Sequence, residues 1–392
     1  MSIYLDNSAT TPVRQEVIEA MLPYLKEHWG NASSIHAAGR TAKKAIDSAR
    51  EQVASLLNCQ PEEVHFSACG TVSNNLALLG RARFLEANGR GKHLITSQIE
   101  HPSVSGPAKY LESQGWRVTY LPVTREGFVE VDQLKAAISP DTSIISIIWA
   151  NNEIGTVEPV QALSEIAADK EIFFHTDAVQ VPGKLPIDLK SVKVSALSLS
   201  GHKFYAPKGI GILFLRKGEN LMPIEFGGGQ ERGMLPGTEA VANIVAIGKA
   251  AQLAKEELAV NQSKLLALQT GLIERLASVP DLQITGSHDP KRRLPGHVSF
   301  VIPEVEGETI VLKCDLQGLC LSSGSACHQG VIEPSLVLKA IGLSHSQAMG
   351  SVRVSFGKFN TSEDGQVLSE KLSNILLSLR KGNKAAAGLS KS

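Results

Sequence analysis

Ser200-Gly201-His202-Lys203 follows a short apolar run and precedes Pro207-Lys208-Gly209. An amine at the carboxyl end of a sheet strand sits where α/β proteins place ligands. Burial lowers a lysine's pKa enough for it to condense with an aldehyde, so Lys203 is a candidate Schiff-base former. Asp177, in His175-Thr176-Asp177-Ala178-Val179-Gln180, is a second strand-end residue. A carboxylate there could pair with a protonated pyridine nitrogen, the contact that makes pyridoxal phosphate an electron sink. Phe66-Ser67-Ala68-Cys69-Gly70-Thr71-Val72-Ser73-Asn74-Asn75 ends a strand and opens a helix through small residues. Free N–H groups at a helix start, together with the Thr71 hydroxyl, suit an anion. His101, in Ile99-Glu100-His101-Pro102, could stack on a flat ring, and Asn151-Asn152 closes another apolar run.

Two further residues lie late in the chain. Cys327 sits in the small, polar stretch Leu321-Ser322-Ser323-Gly324-Ser325-Ala326-Cys327-His328, the setting of an exposed thiol. Exposed thiols with cationic neighbours are the reactive ones, whereas Cys314 and Cys320 lie in apolar runs and read as structural. The spacing of these three cysteines matches no zinc pattern, so no metal site is expected. Arg353, in Ser351-Val352-Arg353-Val354-Ser355, shares a strand face with the two hydroxyls and offers a fork for a carboxylate. Each residue also has a plainer reading. Lys203 could be a solvated loop lysine, Asp177 a helix cap, Gly70-Thr71 a bare turn, His101 a helix-start histidine and Arg353 a half-exposed strand residue. Their force is joint: Thr71, His101, Asn152, Asp177 and Lys203 all fall at strand ends.

The strands that must position them are predicted at Val64–Phe66, His93–Ser97, Arg117–Leu121, Thr142–Trp149, Ile172–His175, Val194–Leu199 and Ile210–Leu215. Amphipathic stretches such as Thr71–Leu85 and Pro159–Ala168 lie between them. Near-continuous apolar strands alternating with helices give a mostly parallel sheet covered on both faces. Glu239–Val279 reads as one or two long helices. Beyond it the order changes, with strands at His297–Ile302, Leu319–Ser322 and Val352–Phe356 and helices at Gly307–Lys313, Pro334–Ile341 and Thr361–Leu379. This is a smaller α+β unit. The expected plan is a large α/β domain over 13–256, a small domain built from 1–12 and 257–380, and a disordered tail at 381–392.

Composition narrows the class. The chain has 392 residues, 39 basic against 39 acidic, so it carries no electrostatic footprint for nucleic acid or anionic lipid. No apolar run approaches the roughly 18 residues of a membrane span, and the N-terminus lacks the pattern of a signal peptide. Five cysteines, an odd number in a long chain, argue against a disulfide framework and for a reducing, cytoplasmic setting.

From Tyr4-Leu5-Asp6-Asn7-Ser8-Ala9-Thr10-Thr11-Pro12 to about Leu379 the chain resembles the cysteine desulfurases of the nitrogen-fixation and iron–sulfur-cluster class, within the class V aminotransferase-like group. Asn152-Glu153-Ile154-Gly155, Ser200-Gly201-His202-Lys203, Gly209-Ile210-Gly211, Ser322 to Cys327 and Glu333-Pro334-Ser335 carry the likeness, in the family's order. The resemblance implies a fold-type I enzyme with a seven-stranded sheet domain, dependent on pyridoxal 5'-phosphate. It implies that Lys203 holds the cofactor as a Schiff base, Asp177 faces the pyridine nitrogen, Gln180 the ring hydroxyl, and His101 stacks on the ring. Gly70, Thr71, Ser200 and His202 would hold the phosphate, and Thr238 would reach the phosphate of the other subunit of a homodimer. Asn152 and Arg353 would bind the carboxylate of L-cysteine. Cys327 would accept its sulfur and pass it to an acceptor such as an iron–sulfur scaffold protein, leaving alanine. Val72 stands where the family usually has Glu, Leu235 where it has Arg, and His328-Gln329-Gly330 where it often has small hydroxyl residues. A selenocysteine or cystine lyase would share these motifs, an aminotransferase would have no use for Cys327, and a degenerate homologue would have lost the reaction.

Overall fold

A computed structural model describes residues 2–324, 326–328 and 331–389; the side chains of 326–328, 331–333 and 380–389 fall outside that description. Its largest sheet has seven strands, in the order Val64–Ser67, Gly211–Leu215, Ala196–Ser200, Phe173–Asp177, Thr142–Ser146, His93–Ser97 and Arg117–Leu121. All pairings are parallel except those of Gly211–Leu215, which runs antiparallel to both neighbours.

The central strands are apolar at consecutive positions because both sheet faces are covered. Ile95, Ile145, Phe174 and Leu197 enter one core, while Leu94, Ile144, Phe173 and Ala196 enter the other. That is the period-two split of a strand with no solvent face. Phe173 and Phe174 are fully buried, each worth about 1.5–3 kcal/mol by area. Helices Ala37–Leu57 and Val241–Glu256 pack on the first face, and Pro102–Ser113 on the second. Ala37–Leu57 buries Ala42, Ala45, Ile46, Ala49 and Val53 at helical spacing, and stops at Asn58 in the left-handed conformation (φ 52°).

Beyond the long helices Val241–Glu256 and Leu258–Leu276 lies an antiparallel sheet of four strands, Ser322–Ser323, Ser351–Ser355, His297–Val301 and Gln283–Thr285. Val298, Phe300, Val352 and Val354 point into its core with Leu5 and Leu272. The opposite face carries His297, Ser299, Ser351, Arg353 and Ser355. These polar residues are buried too, so something must cover them. The N-terminal segment covers part of that face. Ile3–Tyr4 pairs in parallel with Leu319–Cys320, and the Ser8 N–H donates to Ser355 Oγ at 2.8 Å.

The structure departs from the sequence reading at four elements. Thr142–Trp149 keeps ladder geometry only to Ser146, although Ile147 and Trp149 still donate to the neighbouring strand. Thr71–Leu85 is a helix that widens at Leu76–Gly80 into a π-turn. Leu319–Ser322 divides between two sheets, because Cys320 pairs with the N-terminus and Ser322 with Arg353. The last helix runs Ser362–Leu389, through alanine-rich sequence with high helix propensity, rather than ending at Leu379.

Candidate active site

Four strand ends and one loop converge on a cavity of about 220 Å³, lined by Gly70, Thr71, His101, Asn152, Asp177, Gln180, Ser200, His202 and Lys203. Lys203 lies in the short turn Gly201–Lys203 that directly follows the strand Ala196–Ser200. Its Nζ donates to the carbonyls of Ser8 and Ala9, each at 2.7 Å. Burial pushes the amine down to about 8, with the Arg353 cation adding to the fall and Asp6 and Asp177 opposing it. At neutral pH a useful fraction is therefore free base, the form that condenses with an aldehyde.

Asp177 ends the adjacent strand and is 4% exposed. Its Oδ2 accepts from Asn74 Nδ2 at 2.7 Å and its Oδ1 from the Val179 N–H at 3.0 Å. Two donors fix a carboxylate whose outer lone pairs remain for a pyridine N–H. His101 caps the helix Pro102–Ser113: its Nδ1 accepts from the Ser103 N–H at 3.1 Å and lies 2.7 Å from Ser103 Oγ. The helix-start reading holds, and the capping histidine also lines the cavity. Burial keeps its pKa below the ordinary value.

At the other end of the cavity the chain turns through Cys69 into the helix at Gly70. A Cβ on Gly70 would lie 3.0 Å from Val179 Cγ2 and 3.2 Å from Ser200 Cβ, so glycine lets this turn close on the strand Ala196–Ser200. His202, held down to about 4 by burial and by the neighbouring Lys203 and Lys208 cations, places Nδ1 3.1 Å from Thr10 Oγ1. A hydroxyl, helix-start N–H groups, a buried carboxylate and a buried amine thus share one cavity. They match the phosphate, ring nitrogen and aldehyde of pyridoxal 5'-phosphate, and the residues present fit that group.

Asn152 connects this cavity to the four-stranded sheet. Its carbonyl accepts from Arg353 Nη1 at 3.1 Å and lies 3.1 Å from His297 Nε2. The Asn152-Glu153-Ile154-Gly155 turn requires its glycine. Gly155 has φ 74°, and a Cβ there would sit 2.5 Å from His297 Nδ1. Glu153 Oε2 accepts from Ser335 Oγ, which also caps the helix Leu336–Ala340.

Two predicted site residues, Arg353 and Thr238, lie apart from the cavity lining. Arg353 is buried rather than half-exposed and borders a small adjoining cleft with Glu153 and Ser323. Its Nη2 is paired with Asp6 Oδ1 at 2.7 Å, and its Nε is buried without a partner among the described residues. Thr238 lines a separate cavity of about 230 Å³ together with Val72 and Leu235. Val72 and Leu235 pack with the same core cluster. The Cys327 thiol lies outside the described residues. Its backbone belongs to the strand Ala326–His328, paired antiparallel with Val331–Glu333.

The sequence reading missed Cys69, Ser103, Ile148 and Val179 on the cavity wall, and Asn74, Ser8 and Asp6 behind it. The pattern His101-x-Ser103 signals a cap and could have flagged Ser103. Asp6 and Ser8 gave no local signal, because their partners lie hundreds of residues away.

The class-V aminotransferase family model matches residues 3–368. Cysteine desulfurase IscS of Methanosarcina thermophila is 46% identical over 379 residues, covering 97% of this chain and 93% of that protein. The chain belongs to the class-V aminotransferase family, in its cysteine desulfurase branch. As a family member it superposes on a NifS-like protein with TM-score 0.90 at 36% identity, over 96% of this chain and 99% of that one. A structure of SspA in complex with cysteine matches at TM-score 0.81 and 34% identity, over 92% of this chain and 100% of that one.

Proposed function

We propose that this class-V family member is a pyridoxal-phosphate-dependent cysteine desulfurase that converts L-cysteine and the Cys327 thiol into L-alanine and a Cys327 persulfide. One observation carries the reading: a buried amine at Lys203 and a doubly held carboxylate at Asp177 share a cavity with the Gly70–Thr71 cradle. When bound, the cofactor supplies a sink for the electron pair left at the substrate α-carbon. Lys203 holds the cofactor in the resting enzyme and afterwards moves the α-proton, a task suited to an amine titrating near 8. Asp177 keeps a proton on the ring nitrogen, and Asn74 and Val179 keep Asp177 in place. Gly70, Thr71, Ser200 and His202 grip the phosphate, and His101 stacks on the ring. Asn152 and Arg353 receive the substrate carboxylate. The Cys327 thiolate attacks the substrate sulfur; an S–S bond forms as the C–S bond breaks, and the carbon fragment takes up protons to become alanine.

Substrate choice is supported by the related protein solved with cysteine. A homodimer is supported by Thr238 lying away from its own Lys203 cavity, and by the exposed apolar residues Trp29 (77%) and Ile35 (91%). The domain plan of 13–256 and 1–12 plus 257–380 is supported by the separate core around the four-stranded sheet. Among the described residues no helix is long and apolar enough to cross a membrane. A cytoplasmic location is supported by the free state of Cys59, Cys69, Cys314 and Cys320. The sulfur acceptor proposed is a protein thiol, an iron–sulfur scaffold among the candidates.

The test is mass spectrometry of the holoenzyme after incubation with L-cysteine. One extra sulfur atom on the peptide carrying Cys327, absent in Cys327→Ala, is the expected result. Sulfide and alanine released at an undiminished rate by Cys327→Ala would overturn the desulfurase reading in favour of a lyase.

A further inference from the structure

Lys184 lies in the turn region that follows Asp177 and is 7% exposed. Its neighbouring charges are cations, Lys203 and Arg353. Its Nζ donates to Gln180 Oε1 at 3.3 Å. Burying a cation without a carboxylate is costly, and an apolar residue of similar length would fill the same space more cheaply. A group kept at such a cost calls for a reason.

The reason lies in Gln180, which is 4% exposed and lines the Lys203 cavity. Its Nε2 donates to the Ser8 carbonyl at 3.0 Å. That same carbonyl accepts from Lys203 at 2.7 Å. A glutamine amide is a donor at one end and an acceptor at the other. Reversing it would set two donors against each other at protonated Lys184 and two acceptors against each other at Ser8. Both contacts therefore select one orientation, in which the NH₂ end faces Ser8 and the cavity.

We propose that Lys184 is a positioning residue that locks the Gln180 amide with its N–H donors toward the cavity, so that Gln180 presents a donor and never an acceptor to the cofactor's ring oxygen. This rests on the reading of Gln180 as the ligand of that oxygen. Burial, reinforced by Lys203 and Arg353, pushes Lys184 down to about 7; the protonated amine can only donate, and the neutral amine keeps two N–H donors, so it meets Gln180 Oε1 in the orientation that the Ser8 carbonyl also selects. A donor at the ring oxygen weakens that oxygen's hold on the proton it shares with the Lys203 nitrogen. Loss of the donor raises the pH at which this proton leaves.

The test is a pH titration of the long-wavelength absorbance band of the resting holoenzyme, in wild type, Lys184→Met, Gln180→Ala and the double variant. Lys184→Met is expected to raise the midpoint by about one pH unit, the worth of one hydrogen bond to a charged group. Gln180→Ala is expected to do the same, and the double variant to match either single one. The apo form of Lys184→Met is expected to melt at or above the wild-type temperature; if it melts lower, Lys184→Leu takes its place in the titration. An unmoved midpoint in the folded Lys184 variant overturns the inference. Additive shifts in the double variant also overturn it, because Lys184 would then act through its own charge. A wild-type protein that develops no such band with pyridoxal 5'-phosphate overturns the underlying reading, and that outcome is distinct from a band whose midpoint does not move.

Discussion

At the scale of single residues the site works by what burial does to an amine and a carboxylate. Lys203 sits at about 8 instead of its ordinary 10.5. Loading of the apoenzyme with pyridoxal 5'-phosphate should therefore quicken as pH rises through about 8 and level off above it. A rate still climbing toward pH 10 would assign the amine to solvent. The linkage has the same sign. The folded apo chain prefers the neutral amine, so stability gains from this residue between about 8 and 10.5 as pH rises, and loses it as pH falls through about 8. Asp177 is held by two donors. Asp177→Asn preserves shape but removes the carboxylate proposed to keep the ring protonated, and should cut kcat about 10- to 100-fold, the worth of a charged hydrogen bond. Steady-state kinetics with saturating cofactor would measure it, and an unchanged kcat would remove Asp177 from its assigned place.

At the scale of elements, the cofactor cavity depends on how closely Gly211–Leu215 approaches the Cys69–Gly70 turn. A Cβ on Gly211 would stand 2.5 Å from the Cys69 carbonyl carbon and 2.7 Å from Ser67 Oγ. Gly211→Ala should push the turn outward, costing about 1–3 kcal/mol of overpacking. The expected outcome is weaker cofactor binding, read by fluorescence titration of the apoenzyme, with the far-ultraviolet spectrum retained. Binding at wild-type strength would mean that the turn is not where the phosphate docks. These elements were also the most legible part of the sequence. His93–Ser97 and Arg117–Leu121 match their predicted bounds because β-branched and apolar runs end there at turn residues. The π-turn at Leu76–Gly80 was not legible, since its apolar spacing is that of an ordinary helix. Leu319–Ser322 was read as one strand because two partners, Ile3–Tyr4 far upstream and Ser351–Ser355 some thirty residues downstream, leave no trace in the local pattern. Strand-end position announced Thr71, His101, Asn152, Asp177 and Lys203. Asn74 and Lys184, which act on other side chains, carried no such mark.

At the scale of the whole molecule, Trp29 and Ile35 are exposed apolar side chains that the proposed homodimer would cover. Light scattering should return twice the chain mass, and Trp29→Glu should shift the equilibrium toward the monomer with a parallel loss of cofactor affinity if Thr238 completes the partner's site. A monomeric wild type that binds cofactor fully would separate Thr238 from the phosphate.

The pairing of Asp6 with Arg353, and of the Ser8 backbone with Ser355, joins the start of the chain to a strand made near its end. Synthesis is vectorial, so the great sheet can assemble on the ribosome while the carbonyls that receive Lys203 still lack the strand that anchors their segment. Nascent chains arrested before residue 350 should therefore fold their early strands yet fail to retain pyridoxal 5'-phosphate, and the cofactor should become firmly held only after the last of this enzyme has been translated.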